Sequence, residues 1–195
     1  MRKTVLVFMS LLLVFSSSTI PAFAATRKHK PRTPTPTPVV TPLPQGCTNG
    51  WYITGYFTPI ESDYTGVMQT VHVGKTSYSF NAAFLTTIKT EGWGKTHLGN
   101  YIGFYDNVWH FANAPLDAND TPLSSNTVAV DSKIIPLASK LTIPSIASLA
   151  TKTFRADDIG NGVVGKHIDV YTGEGKSAEQ LTFKITGNNN TVCVK

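Results

Sequence analysis

Several features that mark common functional classes are missing from this sequence. Beyond residue 24 no apolar run approaches the roughly 20 residues of a membrane-spanning helix, so we expect no stable membrane insertion. No aspartate-rich loop has the ligand spacing of a calcium site, and we predict neither a metal nor another cofactor. Only two cysteines are present, which argues against a metal site built from thiolates.

A basic surface of the kind that binds nucleic acid is missing as well. The chain carries a formal charge of +5, but 6 of its 17 lysines and arginines precede residue 46, whereas all 12 acidic residues follow it. The remainder holds 11 basic against 12 acidic residues, a net charge of about −1. Since nucleic-acid-binding domains usually carry a basic patch of their own, we predict no nucleic-acid partner.

The N-terminus has the three parts of a secretory signal peptide. Arg2 and Lys3 precede an apolar run at residues 5–15, and Ala22-Phe23-Ala24 has the pattern of a cleavage site. Residues 1–24 are therefore predicted to be removed on export, which places the protein in the extracellular space, the cell wall or the periplasm.

Residues 25–45 have the composition of a linker. A basic cluster at 27–32 is followed by a Pro/Thr repeat that runs to Pro44. Such a sequence favours extended polyproline conformation and cannot bury a core. Its basic residues would suit contact with an anionic cell wall or membrane surface, and a solvated spacer is the alternative.

Residues 46–195 are long enough for one domain with an ordinary core, which we expect to be monomeric. Cys47 and Cys193 stand at opposite ends of this segment. In an exported chain an even cysteine count placed in this way predicts one disulfide between the terminal strands. A pair of free thiols is the alternative.

The domain is expected to be mainly β, with short strands separated by Gly, Pro and Asn turns, as in a barrel or sandwich. Gly74-Lys75 separates two β-prone runs and predicts a hairpin. Helical pattern is limited to 84–89 and 176–181, and the aromatic stretch from 92 to 125 is expected to be a loop. Further strands are expected at residues 51–58, 127–130, 140–143, 163–164, 168–171, 181–185 and 191–194.

Three aspartates near the C-terminus, Asp131, Asp158 and Asp169, are the strongest indication of chemistry. Each lies beside a short apolar, β-prone run, and strand ends can hold several carboxylates close together. Carboxylates gathered in a partly dry cleft raise one another's pKa, so that one of them stays protonated near neutral pH. The pattern therefore predicts general-acid chemistry on an oxygen leaving group.

The residues around these aspartates resemble a known family. Val-Ala-Val-Asp131, followed by the run 156–171 with Asp158, Gly160, Gly165 and Asp169 in order, looks like the 3D domain, named for its three aspartates. Upstream, residues 54–59 and 84–94 are similar to segments of the same family. The family is that of MltA-like lytic transglycosylases and RlpA-like proteins. The resemblance implies a six-stranded double-psi β-barrel with loop insertions and one or two short helices.

The resemblance also implies an activity, the cleavage of the MurNAc–GlcNAc β-1,4 bond of peptidoglycan. Asp158 would donate a proton to the glycosidic oxygen and then act as base toward the C6 hydroxyl of MurNAc, which closes a 1,6-anhydro ring. One acid/base residue suffices because the substrate supplies the nucleophile. Asp131 and Asp169 would position Asp158 and raise its pKa. The residues expected to bind the glycan are Tyr56, Glu91, Trp93, Gly160, Gly165 and His167.

Several of these residues have a structural alternative. Asp131 is placed to cap a turn through its side chain, and Gly160 and Gly165 suit turns. His167 could pack on the barrel edge, and Trp93 could belong to the core. Because Asp157 adjoins Asp158, the position of the acid is open by one residue.

Two other functions compete with the enzyme. Double-psi barrels related to expansins bind or loosen wall polysaccharide without cutting it, so a non-catalytic wall-binding module is the main alternative. An aspartic protease is disfavoured, because it needs two Asp-x-Gly loops and only one such sequence is present.

Overall fold

The computed structural model describes residues 45–195. In this part of the chain there are eleven strands, two α-helices and one short 3-10 turn at Glu61–Asp63. The elements in chain order are β1 (Gly46–Thr58), β2 (Met68–Val73), β3 (Thr76–Asn81), α1 (Ala82–Glu91), β4 (Trp93–Lys95), β5 (Tyr101–Tyr105), β6 (Val108–Ala112), β7 (Thr127–Val130), β8 (Lys140–Thr142), β9 (Phe154–Asp158), β10 (His167–Glu174), α2 (Gly175–Ile185) and β11 (Gly187–Val194).

Six of the strands close into a barrel in the order β1-β10-β7-β9-β8-β11. The pairs β1–β10 and β7–β9 are parallel, and the other neighbours are antiparallel. Alternate side chains fill the interior, such as Ile168 and Val170 of β10 and Val128 and Val130 of β7, all almost fully buried. The predicted fold class, mainly β on a six-stranded barrel with two short helices, is confirmed.

One disulfide joins the first strand of the barrel to the last. Cys47 of β1 and Cys193 of β11 are register partners in the antiparallel pair and are bonded to each other. The predicted pairing is therefore confirmed, and both cysteines are accounted for.

A second apolar core is built by the chain between β1 and β7. Helix α1 begins at Asn81, whose side chain accepts hydrogen bonds from the amides of Ala83 and Phe84. The helix buries Phe84, Leu85 and Ile88 against the β2–β3 hairpin and β5. The predicted hairpin at Gly74-Lys75 and the predicted helix at 84–89 are both present.

The stretch 92–125 was expected to be a loop, and this expectation was wrong for its first half. Strands β4, β5 and β6 form an antiparallel sheet there. Asp106 and Asn107 link β5 to β6 with positive φ of 52° and 60°, as the two central residues of a type I′ hairpin turn require. The sequence did not predict these strands, because their aromatic residues pack on α1 and the strands do not alternate cleanly between polar and apolar residues.

The strand predicted at 181–185 is the second half of helix α2. The side chains it buries are Ala178, Thr182 and Ile185, which recur at helical spacing, whereas Phe183 is 73% exposed. The helix lies against β1 at Gly55, where an added Cβ would meet the backbone of Thr182 at 2.9 Å. The short strand predicted at 163–164 is also absent, and β9 was not foreseen.

The predicted signal peptide and nearly all of the predicted linker lie outside the described residues. Within residues 45–195 neither helix is long and apolar enough to cross a membrane.

Removal of the disulfide is expected to destabilise the barrel strongly. In a Cys47→Ser/Cys193→Ser variant we expect the free energy of unfolding to fall by about 4–5 kcal/mol, because the bond joins residues 146 apart and restricts the unfolded chain. Denaturant titration of the variant and of the wild type under oxidising conditions measures the difference. Wild type under reducing conditions is the control and should match the variant; equal midpoints for variant and oxidised wild type would contradict the expectation.

Candidate active site

Two of the three aspartates lie in one row across the barrel wall. Strand pairing places Asp169 of β10 opposite Ala129 of β7, and Ala129 opposite Asp158 of β9. On its other side Asp169 faces Thr54 of β1. Neighbours in one row of a sheet project from the same face, which here is the face turned away from the barrel core. Only the methyl group of Ala129 separates the two carboxylates along the row.

An irregularity in the strand register brings Asp158 into this row. Val128 faces Ala156, but the next residue of β7, Ala129, faces Asp158, so that β9 has one residue more than β7 at this point. Such a bulge turns the following side chain to the other face of the sheet. Asp158 therefore joins the face of Asp169 although Ala156, two residues earlier, lies in the core.

The Asp158 carboxyl is partly buried and well supported by donors. Burial raises the pKa of Asp158 above its ordinary value, and the charge of Asp117 adds to the rise. Hydrogen bonds act in the opposite direction: the Tyr56 hydroxyl donates to Oδ2 at 2.7 Å, the Ile159 amide donates to Oδ1 at 2.9 Å, and the backbone of Ala118 contributes in the same sense. The pKa of Asp158 was expected to be raised by Asp131 and Asp169. Burial and the charge of Asp117 are the causes instead.

The Asp169 carboxyl has fewer donors. Burial raises its pKa, while the Thr54 hydroxyl, 2.6 Å from Oδ1, and the charge of His167 act against the rise. The same Thr54 oxygen lies 2.8 Å from Nε2 of His167. The other ring nitrogen of His167 lies 3.1 Å from the carbonyl oxygen of Gly162.

Asp131 lies just beyond the end of β7 and closes a turn. Its Oδ1 accepts from the Lys133 amide at 3.0 Å and its Oδ2 from the Gly165 amide at 2.8 Å. These backbone hydrogen bonds lower the pKa of Asp131, in contrast to the other two aspartates. The turn-capping alternative describes its contacts, and it ties the 162–166 segment to β7.

The comparison with protein families bears on these three residues together. Residues 126–192 match the family model of the 3D domain, and all three aspartates lie within the match. This part of the chain is similar to the 3D domain. The groups that donate to Asp158 and Asp169 from β1, Tyr56 and Thr54, lie outside the match. No curated protein matches the chain.

Several solved structures share the fold of the 3D domain and its surroundings. Escherichia coli MltA with bound chitohexaose is 14% identical, with a TM-score of 0.56, over 77% of this chain and 76% of that one. A membrane-bound lytic murein transglycosylase from Agrobacterium tumefaciens is 12% identical, with a TM-score of 0.53 and the same coverages. MltA from Neisseria gonorrhoeae is 14% identical, with a TM-score of 0.51, over 74% and 72%. At these identities the likeness is one of fold.

The other residues predicted to bind glycan are unevenly placed. Tyr56 is mostly buried and reaches the site through its hydroxyl. Trp93 is only 7% exposed, and its ring packs where a Cβ on Gly103 would stand, so the core alternative describes it. Gly160 accepts a turn hydrogen bond from the Val163 amide, and Gly165 has a φ of 69°. The turn alternative accounts for both glycines.

The sequence left open whether Asp157 or Asp158 is the acid. The two residues differ in that Asp157 forms an ion pair. Asp157 binds Arg155, with Nε 2.8 Å from Oδ2 and Nη2 3.3 Å from Oδ1. Both side chains line a cavity of about 510 Å³, which Asp117 and Asn119 line as well. Strand pairing, in contrast, places Asp158 and not Asp157 in the row with Asp169.

Glu91 supplies a further carboxyl group at the end of α1. Its Oε2 accepts from the Phe57 amide at 3.0 Å. Burial raises its pKa to about 7, and the charges of Asp169 and Glu179 contribute to the rise. The sequence prediction placed Glu91 in the glycan site, and the charge of Asp169 acts on its pKa.

Two residues of the site were missed by the sequence analysis, Thr54 and Asp117. Thr54 lies in a β-prone run that resembles the family, but nothing in that run indicates that its hydroxyl reaches Asp169. Asp117 is nearly buried and accepts from the amides of Asn119 and Thr121. The spacing Asp117-x-Asn119 is typical of such a side-chain turn and could have identified it. Among residues 45–195 no group of three or more His, Cys, Asp or Glu side chains is arranged to hold a metal ion.

The raised pKa of Glu91 gives a test in terms of stability. A carboxyl whose pKa is higher in the folded than in the unfolded state binds more protons when folded, so its contribution is present below about pH 4.5 and is lost as the pH rises through about 7. We therefore expect Glu91→Gln to raise the free energy of unfolding at pH values above 7, by about 2 kcal/mol after allowance for solvent screening.

Denaturant titrations of wild type and variant across this pH range measure the effect. Glu179→Gln is the matched control, since it removes a charge near Glu91 without removing the carboxyl itself, and it should give a smaller gain. A Glu91→Gln difference that stays constant from about pH 4.5 to about pH 8 would contradict the expectation.

Proposed function

We propose that the protein is a lytic transglycosylase that acts on peptidoglycan outside the cytoplasm. One observation carries the proposal. In the segment that matches the 3D domain, Asp158 and Asp169 flank Ala129 in one row of the sheet, and the pKa of each is raised. A carboxyl group that holds its proton toward neutral pH is suited to general-acid catalysis. The fold resembles that of E. coli MltA, whose structure contains chitohexaose, a chain of β-1,4-linked amino sugars.

The bond to be cleaved is the β-1,4 bond between MurNAc and GlcNAc. A carboxylic acid gives its proton to the glycosidic oxygen as the bond from C1 breaks. The resulting carboxylate then takes the proton of the C6 hydroxyl of MurNAc as that oxygen bonds to C1, which forms the 1,6-anhydro sugar. One group therefore acts first as acid and then as base, and water is not the nucleophile.

The contacts of the two aspartates favour different roles. Asp158 accepts from the Tyr56 hydroxyl and the Ile159 amide, and these bonds stabilise its ionised form. Asp169 accepts one hydrogen bond, from Thr54. The sequence prediction placed the catalytic proton on Asp158, whereas these contacts favour Asp169 as the acid and base.

Ionised Asp158 then has an electrostatic role. The sugar ring gains positive charge as the glycosidic bond breaks, and a fixed carboxylate near the ring stabilises that charge without reorganisation. Tyr56 holds this carboxylate in place through its hydroxyl. Glu91 is a further carboxyl with a raised pKa, caused first by burial and then in part by the charge of Asp169.

The proposal is tested by mass spectrometry of purified peptidoglycan after incubation with the protein. We expect muropeptides lighter by one water molecule than hydrolysis products. Asp169→Asn and Asp158→Asn should each lower the rate of their release by about 100-fold or more, because general-acid and charge-stabilising groups contribute at least this much.

Asp157→Asn is the matched control, since Asp157 adjoins Asp158 in sequence but is paired with Arg155, and it should keep most of the activity. Products of full hydrolytic mass would make the protein a hydrolase and contradict the proposal. Binding to the wall with no product would contradict it in favour of the non-catalytic module.

A further inference from the structure

The side chain of Thr54 lies between two titratable groups. Its Oγ1 is 2.6 Å from Oδ1 of Asp169 and 2.8 Å from Nε2 of His167. A hydroxyl has one proton to donate and two lone pairs to accept. It can therefore donate to only one of these neighbours at a time, and the other must donate to it.

The far side of the imidazole restricts its protonation. Nδ1 of His167 lies 3.1 Å from the carbonyl oxygen of Gly162, which can only accept. Nδ1 therefore carries a proton, and the state of Nε2 is decided by Thr54.

Two proton arrangements satisfy all three contacts. In the first, Asp169 is ionised and accepts from Thr54, so Nε2 must donate to Thr54 and His167 is charged. In the second, Asp169 carries the proton on Oδ1 and donates it to Thr54, whose own proton points to an unprotonated Nε2 of a neutral His167. The total number of protons is the same in both.

We infer that the hydroxyl of Thr54 passes a proton between His167 and Asp169, so that His167 loads the proposed catalytic acid. In the transfer, the Nε2 proton moves to Thr54 Oγ1 as the Thr54 proton moves to Asp169 Oδ1. One N–H and one O–H bond break and two O–H bonds form, and the charges on His167 and Asp169 cancel. The catalytic consequence rests on the proposed function, whereas the proton transfer does not.

The barrel holds the three groups in position. Thr54 and Asp169 are register partners in the parallel pair β1–β10, and His167 precedes Asp169 by two residues on the same face. The ring of Tyr52, the register partner of His167, packs against the imidazole with centroids 4.8 Å apart. Thr54 is β-branched, which limits its χ1 to few rotamers. The geometry is thus set by the sheet and not by a loop.

The groups around Asp169 and His167 explain why the proton passes from His167 to Asp169. Asp169 is flanked by Tyr56 from β1 and lies within electrostatic reach of Glu91 from α1, with Asp158 of β9 across Ala129. None of these neighbours is a cation, and burial is what favours a protonated Asp169. His167 lies at the edge of the site beside Tyr52, which is 38% exposed, and its neighbour Lys166 reaches away to the Asn49 carbonyl oxygen. His167 is therefore the member of the chain from which a proton can enter from water.

The test is a nitrogen-15 NMR measurement of the ring of His167 in the purified protein, without substrate. At a fixed pH near neutrality we expect the ratio of doubly protonated to neutral ring to fall about tenfold in both Asp169→Asn and Thr54→Val. Thr54→Val removes the oxygen that accepts the Nε2 proton, and Asp169→Asn removes the negative charge that stabilises the charged ring. Thr54→Ser keeps the hydroxyl and should restore the wild-type ratio. The neutral ring should carry its proton on Nδ1.

His72 is the control within the same spectrum, since it lies on the β2–β3 hairpin beside Ser77 and should be unaffected. Equal ratios for His167 in wild type, Asp169→Asn and Thr54→Val would overturn the inference, as would a neutral ring protonated on Nε2. Thr54→Val and Asp169→Asn test the same expectation independently, so that a folding defect in one variant leaves the other decisive.

Activity supplies a second readout that separates this inference from the proposed function. If the wild type releases anhydro products, the pH profile of their release between acidic and neutral pH should shift in Thr54→Val and in His167→Gln. Thr54→Ser should restore the wild-type profile. A purely structural role would instead lower the rate equally at every pH. If no variant and no wild type releases product, the proposed function fails, and the NMR ratios alone confirm or overturn the proton transfer.

Discussion

The parallel pairing of β1 with β10 is the constraint on which the site depends. Ile168 and Val170 project into the barrel core, so the residues that alternate with them, His167 and Asp169, must project to the opposite face. A slip of one residue in register would exchange the two sets and place a carboxylate in the core. The energy that fixes the orientation of Asp169 is therefore the burial of its apolar neighbours, and the site is positioned by the same side chains that fold the barrel.

Burial also sets the acidity of the site. For Asp158, Asp169 and Glu91 the loss of solvent is the largest cause of the raised pKa, and neighbouring charges are secondary. Asp131, in contrast, is held by two backbone amides in a more exposed turn, and its pKa falls. The three aspartates of the motif therefore differ in role. Burial makes Asp158 and Asp169 easier to protonate, whereas Asp131 stays ionised and holds a backbone turn through its hydrogen bonds.

The residues alone predicted a mainly β domain and the disulfide, and the six-stranded barrel followed from the family resemblance around the aspartates. The sequence was not sufficient where a contact distant in sequence decides. Residues 181–185 alternate like a strand, but the close approach of Thr182 to Gly55 selects a helix. Thr54 lies in a segment that resembles the family, but its contact with Asp169 follows only from the register of β1 with β10. The bulge that turns Asp158 toward Asp169 likewise depends on the pairing of β9 with β7.

The joining of Cys47 to Cys193 has an architectural consequence. Gly46 and Val194 are also register partners, so the chain enters and leaves the barrel at the same point of the same strand pair. A domain whose ends meet in this way can be inserted into a surface loop of another protein, or circularly permuted, without displacement of its strands. The fold is therefore suited to transfer between proteins as a unit, with its row of acidic side chains intact.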